Sequence, residues 1–147
     1  MKRIIGLALA VAALAAGCGS TADKNEYVNS VNQAQAALTT TLTKINPAGK
    51  PNQIAAELDE GGEAIDTAVK DLQAITPPDD ATKPHGRIVN GLSALASTFH
   101  DAADAARAKD TAKMAELLNG IQTSAGAKEL ETAQRELMAN GYKFEEA

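Results

Sequence analysis

Apolar side chains recur at steps of three and four through most of this 147-residue chain, and prolines and glycines cut the pattern into four blocks. That spacing lays a stripe along one face of an α-helix, whereas the faces of a strand alternate every two residues. The first block runs Tyr27, Val28, Val31, Ala34, Leu38, Leu42 and Ile45. It should start near Ala22, with Asp23 and Glu26 spaced as a capping box, and end at Asn46-Pro47-Ala48-Gly49-Lys50. The second follows Pro51, a residue suited to a first helical turn, and runs Ile54, Leu58, Ile65, Val69, Leu72 and Ile75. Gly61-Gly62 sits in its middle, which predicts a local kink or a close helix contact; the sharper alternative is a gap where a ligand or partner meets the backbone.

Thr76-Pro77-Pro78 must stop that helix, because proline lacks the N–H and pushes the preceding residue toward extended backbone. Asp80 or Thr82 is then the expected cap of a third helix carrying Ile88, Leu92, Leu95, Phe99, Ala102 and Ala106, with Pro84 in its first turn. Ala108-Lys109-Asp110 reads as a tight turn, with Asp110 capping a fourth helix. Its stripe of Met114, Leu117, Leu118, Ile121, Ala125, Leu130, Ala133, Leu137 and Met138 slips in phase around Ser124-Ala125-Gly126, so a bend is expected there. Asn140-Gly141 supplies the stop, and Tyr142-Lys143-Phe144 should fold back over the end. Long helices on short turns predict an all-α, antiparallel up-down-up-down four-helix bundle over residues 26–141 with a tail at 142–147. A three-helix arrangement with one loosely docked segment is the alternative.

Residues 1–20 obey different rules. Lys2 and Arg3 precede an unbroken apolar run from Ile4 to Ala16, and small residues surround Cys18, the only cysteine. A charged start, a short apolar core and a small-residue cleavage site describe a secretory signal peptide, here residues 1–17. As a helix the run would reach about 20 Å, short of the ~30 Å hydrocarbon core of a bilayer. The stretch Leu14-Ala15-Ala16-Gly17-Cys18 resembles the lipobox of bacterial lipoproteins. The resemblance implies that Cys18 carries a diacylglyceryl group and becomes the first mature residue, with Cys18 to Asn25 as a short tether. It also implies a protein on the outer face of the cell membrane, or of the outer membrane where the envelope has two. Two acyl chains hold a protein stably where one holds it marginally. The stretches from Tyr27 to Gln35 and from Leu72 to Pro78, with His85, resemble uncharacterised helical lipoproteins of high-GC Gram-positive bacteria. That second likeness implies an exported helical bundle and transfers no site beyond Cys18.

Charge narrows the partners. The whole chain carries −5, and loss of Lys2 and Arg3 leaves the remainder more acidic still. Such a chain lacks the clustered Lys and Arg that displace counterions from nucleic acid, so nucleic acid is not an expected partner. One cysteine forms no internal disulfide. Two Tyr, two Phe and no Trp leave a thin core of Leu, Ile, Val and Ala, and few platforms for a sugar.

Motifs that carry chemistry are missing. There is no G-x-S-x-G, Walker loop, G-x-G-x-x-G or H-E-x-x-H, and a Ser-His-acid centre would have to use His85 or His100. His100 and Asp104 are four apart, on one helix face, and are the weak metal candidates; Glu57, Asp59, Glu60, Glu63 and Asp66 could add ligands from the second helix. The blander reading, which the composition favours, is a solvated acidic face with His100 bonded within its own turn. His85 should pack or cap the first turn of its helix, and Met114 and Met138 should fill the core. Amides crowd the first helix at Asn25, Asn29, Asn32, Gln33 and Gln35, giving a polar face. The sequence thus predicts no catalytic residue, no cofactor and a lipid-anchored binding or scaffold module of the envelope, with an envelope protein as candidate partner. A small-ligand or metal-binding lipoprotein is the alternative.

Overall fold

The computed structural model describes residues 21–43 and 49–144. The expected signal peptide, Cys18, the helix stop expected at Asn46-Pro47-Ala48 and residues 145–147 lie outside the described residues. Within them the chain is all-α: α1 (Thr21–Leu42), α2 (Pro51–Gln73), α3 (Thr82–Arg107), α4 (Thr111–Gly120) and α5 (Ala125–Ala139), with no strand. Short 3-10 turns precede α3, at Asp79–Ala81, and separate α4 from α5, at Ile121–Thr123. The expected fourth helix is therefore one arm in two pieces, broken where the stripe slips. Ser124 caps the second piece by accepting from the Ala127 N–H at 3.1 Å. Four helical arms make the bundle.

α3 is the hub, packed against α2 on one side and α4 and α5 on the other, while α1 lies chiefly on α2. Along α2 and α3 the partners run in opposite order: Leu72 meets His85, Gly62 meets His100 and Asp59 meets Arg107. The apolar stripes supply the core. Tyr27, Val28 and Val31 of α1 are buried, as are Ile54, Leu58, Ile65, Val69 and Leu72 of α2. Leu92, Phe99, Ala102 and Ala106 come from α3, and Ala133 and Leu137 from α5. α4 buries none of its residues completely; Met114, Leu117 and Leu118 only lean on the core. Met138, expected inside, is 60 % exposed, because Leu137 beside it takes the inward position of the turn.

Helix ends follow local chemistry. α1 is already helical at Thr21, inside the stretch expected as a tether, so Asp23 lies within its first turn rather than ahead of it. Pro51 occupies the first turn of α2 as expected. The cap expected from Asp80 or Thr82 does not form: Ala81 occupies the cap position of α3 without a side-chain bond. The 3-10 turn after the paired prolines moves the cap position beyond Asp80, whose carboxylate is claimed elsewhere. Asp110 does cap α4, accepting from the Lys113 N–H at 2.9 Å.

Two helices end in the same way. Beyond α5, Gly141 takes φ 85° while Gly141 N–H donates to Met138 O and Tyr142 N–H to Leu137 O. That is a Schellman motif, with glycine at the left-handed position. Beyond α3, Lys109 occupies the equivalent place at φ 59°, with Lys109 N–H donating to Ala106 O and Asp110 N–H to Ala105 O. A β-carbon is strained there, so Lys109→Gly should stabilise the protein by about 0.5–1 kcal/mol, after allowance for the extra freedom glycine has when unfolded. Urea unfolding would show it as a higher midpoint at unchanged slope.

Candidate functional site

At one end of the bundle the first turn of α1, the turn before α3, the first turn of α3 and the tail converge on a polar cluster inside an otherwise aliphatic protein. Lys24 Nζ donates to Asp80 Oδ2 at 2.7 Å and to the Asn140 carbonyl at 2.8 Å. Tyr142 Oη donates to the other carboxylate oxygen of Asp80 at 2.6 Å, and Asn140 Nδ2 to the Asp80 carbonyl at 2.7 Å. Asp80 thus joins three chain segments. The Lys24 ammonium and the Tyr142 hydroxyl hold its carboxyl below the usual carboxylate range. Lys24 also sits 4.9 Å from the centre of the Tyr142 ring, within cation–π range.

Beneath this clamp lie three rings. Tyr27 meets Tyr142 edge to face at 5.6 Å and His85 at 5.7 Å. Edge-to-face geometry places the positive rim of one ring against the negative face of the next. Tyr27 Oη and His85 Nδ1 are 3.1 Å apart, and the Leu72 carbonyl accepts from the same imidazole. With the Leu72 bond made at Nε2, Nδ1 of the neutral ring is left to accept from Tyr27, an assignment of the tautomer that rests on these partners. Burial pushes the His85 pKa down, with the Leu72 bond opposing, and raises the Tyr27 hydroxyl to about 12. His85 is thus the packing residue the sequence suggests, but it binds α1 and α2 rather than its own turn. Beside the clamp a groove of ≈ 450 Å³ opens, lined by Lys24, Asn25 and Val28 from α1 and by Asn140, Tyr142 and Lys143 from the chain end.

The second polar cluster lies where α2 crosses α3. His100 Nε2 is 3.2 Å from Asp66 and Nδ1 is 3.5 Å from Asp59, and Asp59 also pairs with Arg107. Asp104 is not brought to His100; it pairs with Arg107 at 2.8 Å. His100 therefore bonds across the helix interface rather than within its own turn. Gly62 leaves the room that the His100 ring occupies, since a Cβ there would lie 2.7 Å from His100 Cε1. Gly62 is accordingly a close helix contact, and Gly61-Gly62 lies buried within a continuous helix. Among the described residues no group of three or more His, Cys, Asp and Glu is arranged to hold a metal ion.

The clamp is what sequence reasoning missed. Lys24, Asp80 and Asn140 looked like ordinary solvated or capping residues, and they are separated by more than 50 positions. A signal was present: the chain has only two tyrosines, and both stand in this cluster. Compared with family models, curated proteins and solved structures, the chain shows no match in any of the three.

Proposed function

We propose that this protein is a lipid-anchored helical module of the cell envelope, held by Cys18 on the extracytoplasmic face, which works by non-catalytic binding or scaffolding. The observation that carries the reading is the position of α1. Its first described turn begins three residues after the lipobox cysteine and is tied through Lys24 to Asp80 and Asn140. An anchor on Cys18 would therefore act on the folded body through a connection of very few residues. The groove beside Lys24 and Lys143 would open toward the membrane end, where a partner in the envelope could reach it. Among the described residues no helix is long and apolar enough to cross a membrane, so membrane attachment in this reading depends on the acyl chains.

Cys18→Ala tests it. Labelling with a radioactive fatty acid should mark the wild-type chain and leave the variant blank. The membrane-bound fraction of the variant should drop by more than ~100-fold, as expected when both acyl chains are lost. A variant that pellets with membranes as the wild type does, or a wild-type chain without label, would overturn the proposal.

A further inference from the structure

We propose that the Tyr27–His85 contact is an acid-sensitive latch: protonation of His85 releases the first half of α1 from the bundle. The inference stands apart from the lipid anchor, since it concerns only the described bundle. His85 is 8 % exposed and Tyr27 is 2 % exposed, so neither polar group has water to turn to. With the ring neutral, each of its nitrogens has a partner, one the Tyr27 hydroxyl and one the Leu72 carbonyl. Adding a proton at Nδ1 turns that acceptor into a donor facing the Tyr27 oxygen. Tyr27 must then accept, and its own hydrogen loses its only acceptor in a buried site. A buried polar hydrogen without a partner is costly, and so is a buried imidazolium.

The surroundings offer no relief for that charge. α1 presents Tyr27 and, one turn earlier, Lys24. The turn before α3 presents Asp80, and the tail presents Tyr142. α2 presents a carbonyl, that of Leu72. The one carboxylate among these groups is already matched by the Lys24 ammonium at 2.7 Å. The cheapest relaxation is therefore local. α1 packs chiefly on α2, and its links to the rest of the bundle run through Lys24 and Tyr27: the Tyr27–His85 and Tyr27–Tyr142 contacts and the bonds of Lys24 to Asp80 and Asn140. Letting Tyr27 go hydrates both partners while α2, α3 and α5 keep their own core.

The sign follows from burial. His85 binds its proton less readily when docked than when released, so the latch is at full strength above the free imidazole value of ~6.5. It weakens as pH falls from there through the docked value. Carboxylates alone would respond at lower pH, so a loss that begins as pH falls below the free imidazole value of ~6.5 is specific to the imidazole.

Amide hydrogen exchange on the full chain at pH 7.5 and pH 5, corrected for intrinsic rates, tests the latch. Protection over Thr21–Val31 should fall in acid by about tenfold for each unit separating the docked and released pKa values, while α3 stays protected. His85→Gln, which cannot take the proton, should remove the pH dependence. Equal protection at both pH values, the same acid loss in His85→Gln, or a loss shared equally by α2, α3 and α5 would overturn the proposal. Should His85→Gln not fold, NMR of the wild type, read at the His85 ring protons and the Val31 methyl groups, decides the matter. His85 and Val31 should titrate with one midpoint, and midpoints a unit or more apart would overturn it.

Discussion

Gly91→Ala is expected to destabilise the protein by about 2 kcal/mol, and Gly91→Val by about 3 kcal/mol or more, against a total stability on the order of 5–15 kcal/mol. The reason is the contact between α3 and α5. A Cβ on Gly91 would lie 2.7 Å from Leu130 Cγ and 2.8 Å from the Gly126 carbonyl oxygen. The reverse also holds, with a Cβ on Gly126 falling 2.9 Å from the Gly91 oxygen. Backbone cannot turn aside as a side chain can, so the two helices must separate along their contact. Alanine's better helix propensity returns about 1 kcal/mol, too little to offset that. Gly62→Ala is the internal control. Its obstacle is the end of the half-exposed His100 ring, which can move, and the variant should be close to wild type. Urea unfolding of the three variants would rank them, and a Gly91→Val protein as stable as wild type would refute the close α3–α5 contact.

Leu137→Ala should cost about 3 kcal/mol, within the 2–5 kcal/mol that emptying a buried leucine site takes. Leu137 is 1 % exposed and among the largest fully buried side chains. It has a second task, because its carbonyl receives the Tyr142 N–H that closes the end of α5. The contact of that leucine with the residue closing a Schellman turn is the apolar half of the motif. The loss should therefore reach the clamp: with Tyr142 loosened, Asp80 loses one of its two side-chain donors. Calorimetry would show a lower Tm, and amides of the Asn140–Tyr142 turn should lose protection before those of α2.

Periodicity made most of the fold legible. Of the twelve stripe residues expected on α2 and α3, nine are buried and Ile75, Ile88 and Leu95 lie half-buried against the core, because a helix in water has only its apolar face to bury. The small residues between them, such as Ala55, Ala68, Ala96 and Ala103, are buried without belonging to the stripe. The break at Ser124, the cap at Asp110 and the stop at Gly141 were equally readable, since each rests on neighbours within four residues. Failures came where a distant group competed. Asp80 is a good cap by type, but Lys24 and Tyr142 hold it. His100 and Asp104 share a helix face, yet Asp59, Asp66 and Arg107 from across the interface and along the helix decide their partners. Met138 fits the stripe by spacing and loses the inward place to Leu137. The clamp itself joins residues more than a hundred positions apart, and no local pattern encodes such a pairing.

The placement of the rings has a practical consequence. With no Trp and only two Tyr, in contact at 5.6 Å, nearly all the near-ultraviolet absorption and fluorescence of the molecule arises at a single spot. Its intrinsic optical signal is a local gauge of that spot, silent about the aliphatic interior, and an unfolding curve recorded by tyrosine light need not coincide with one recorded by helix content.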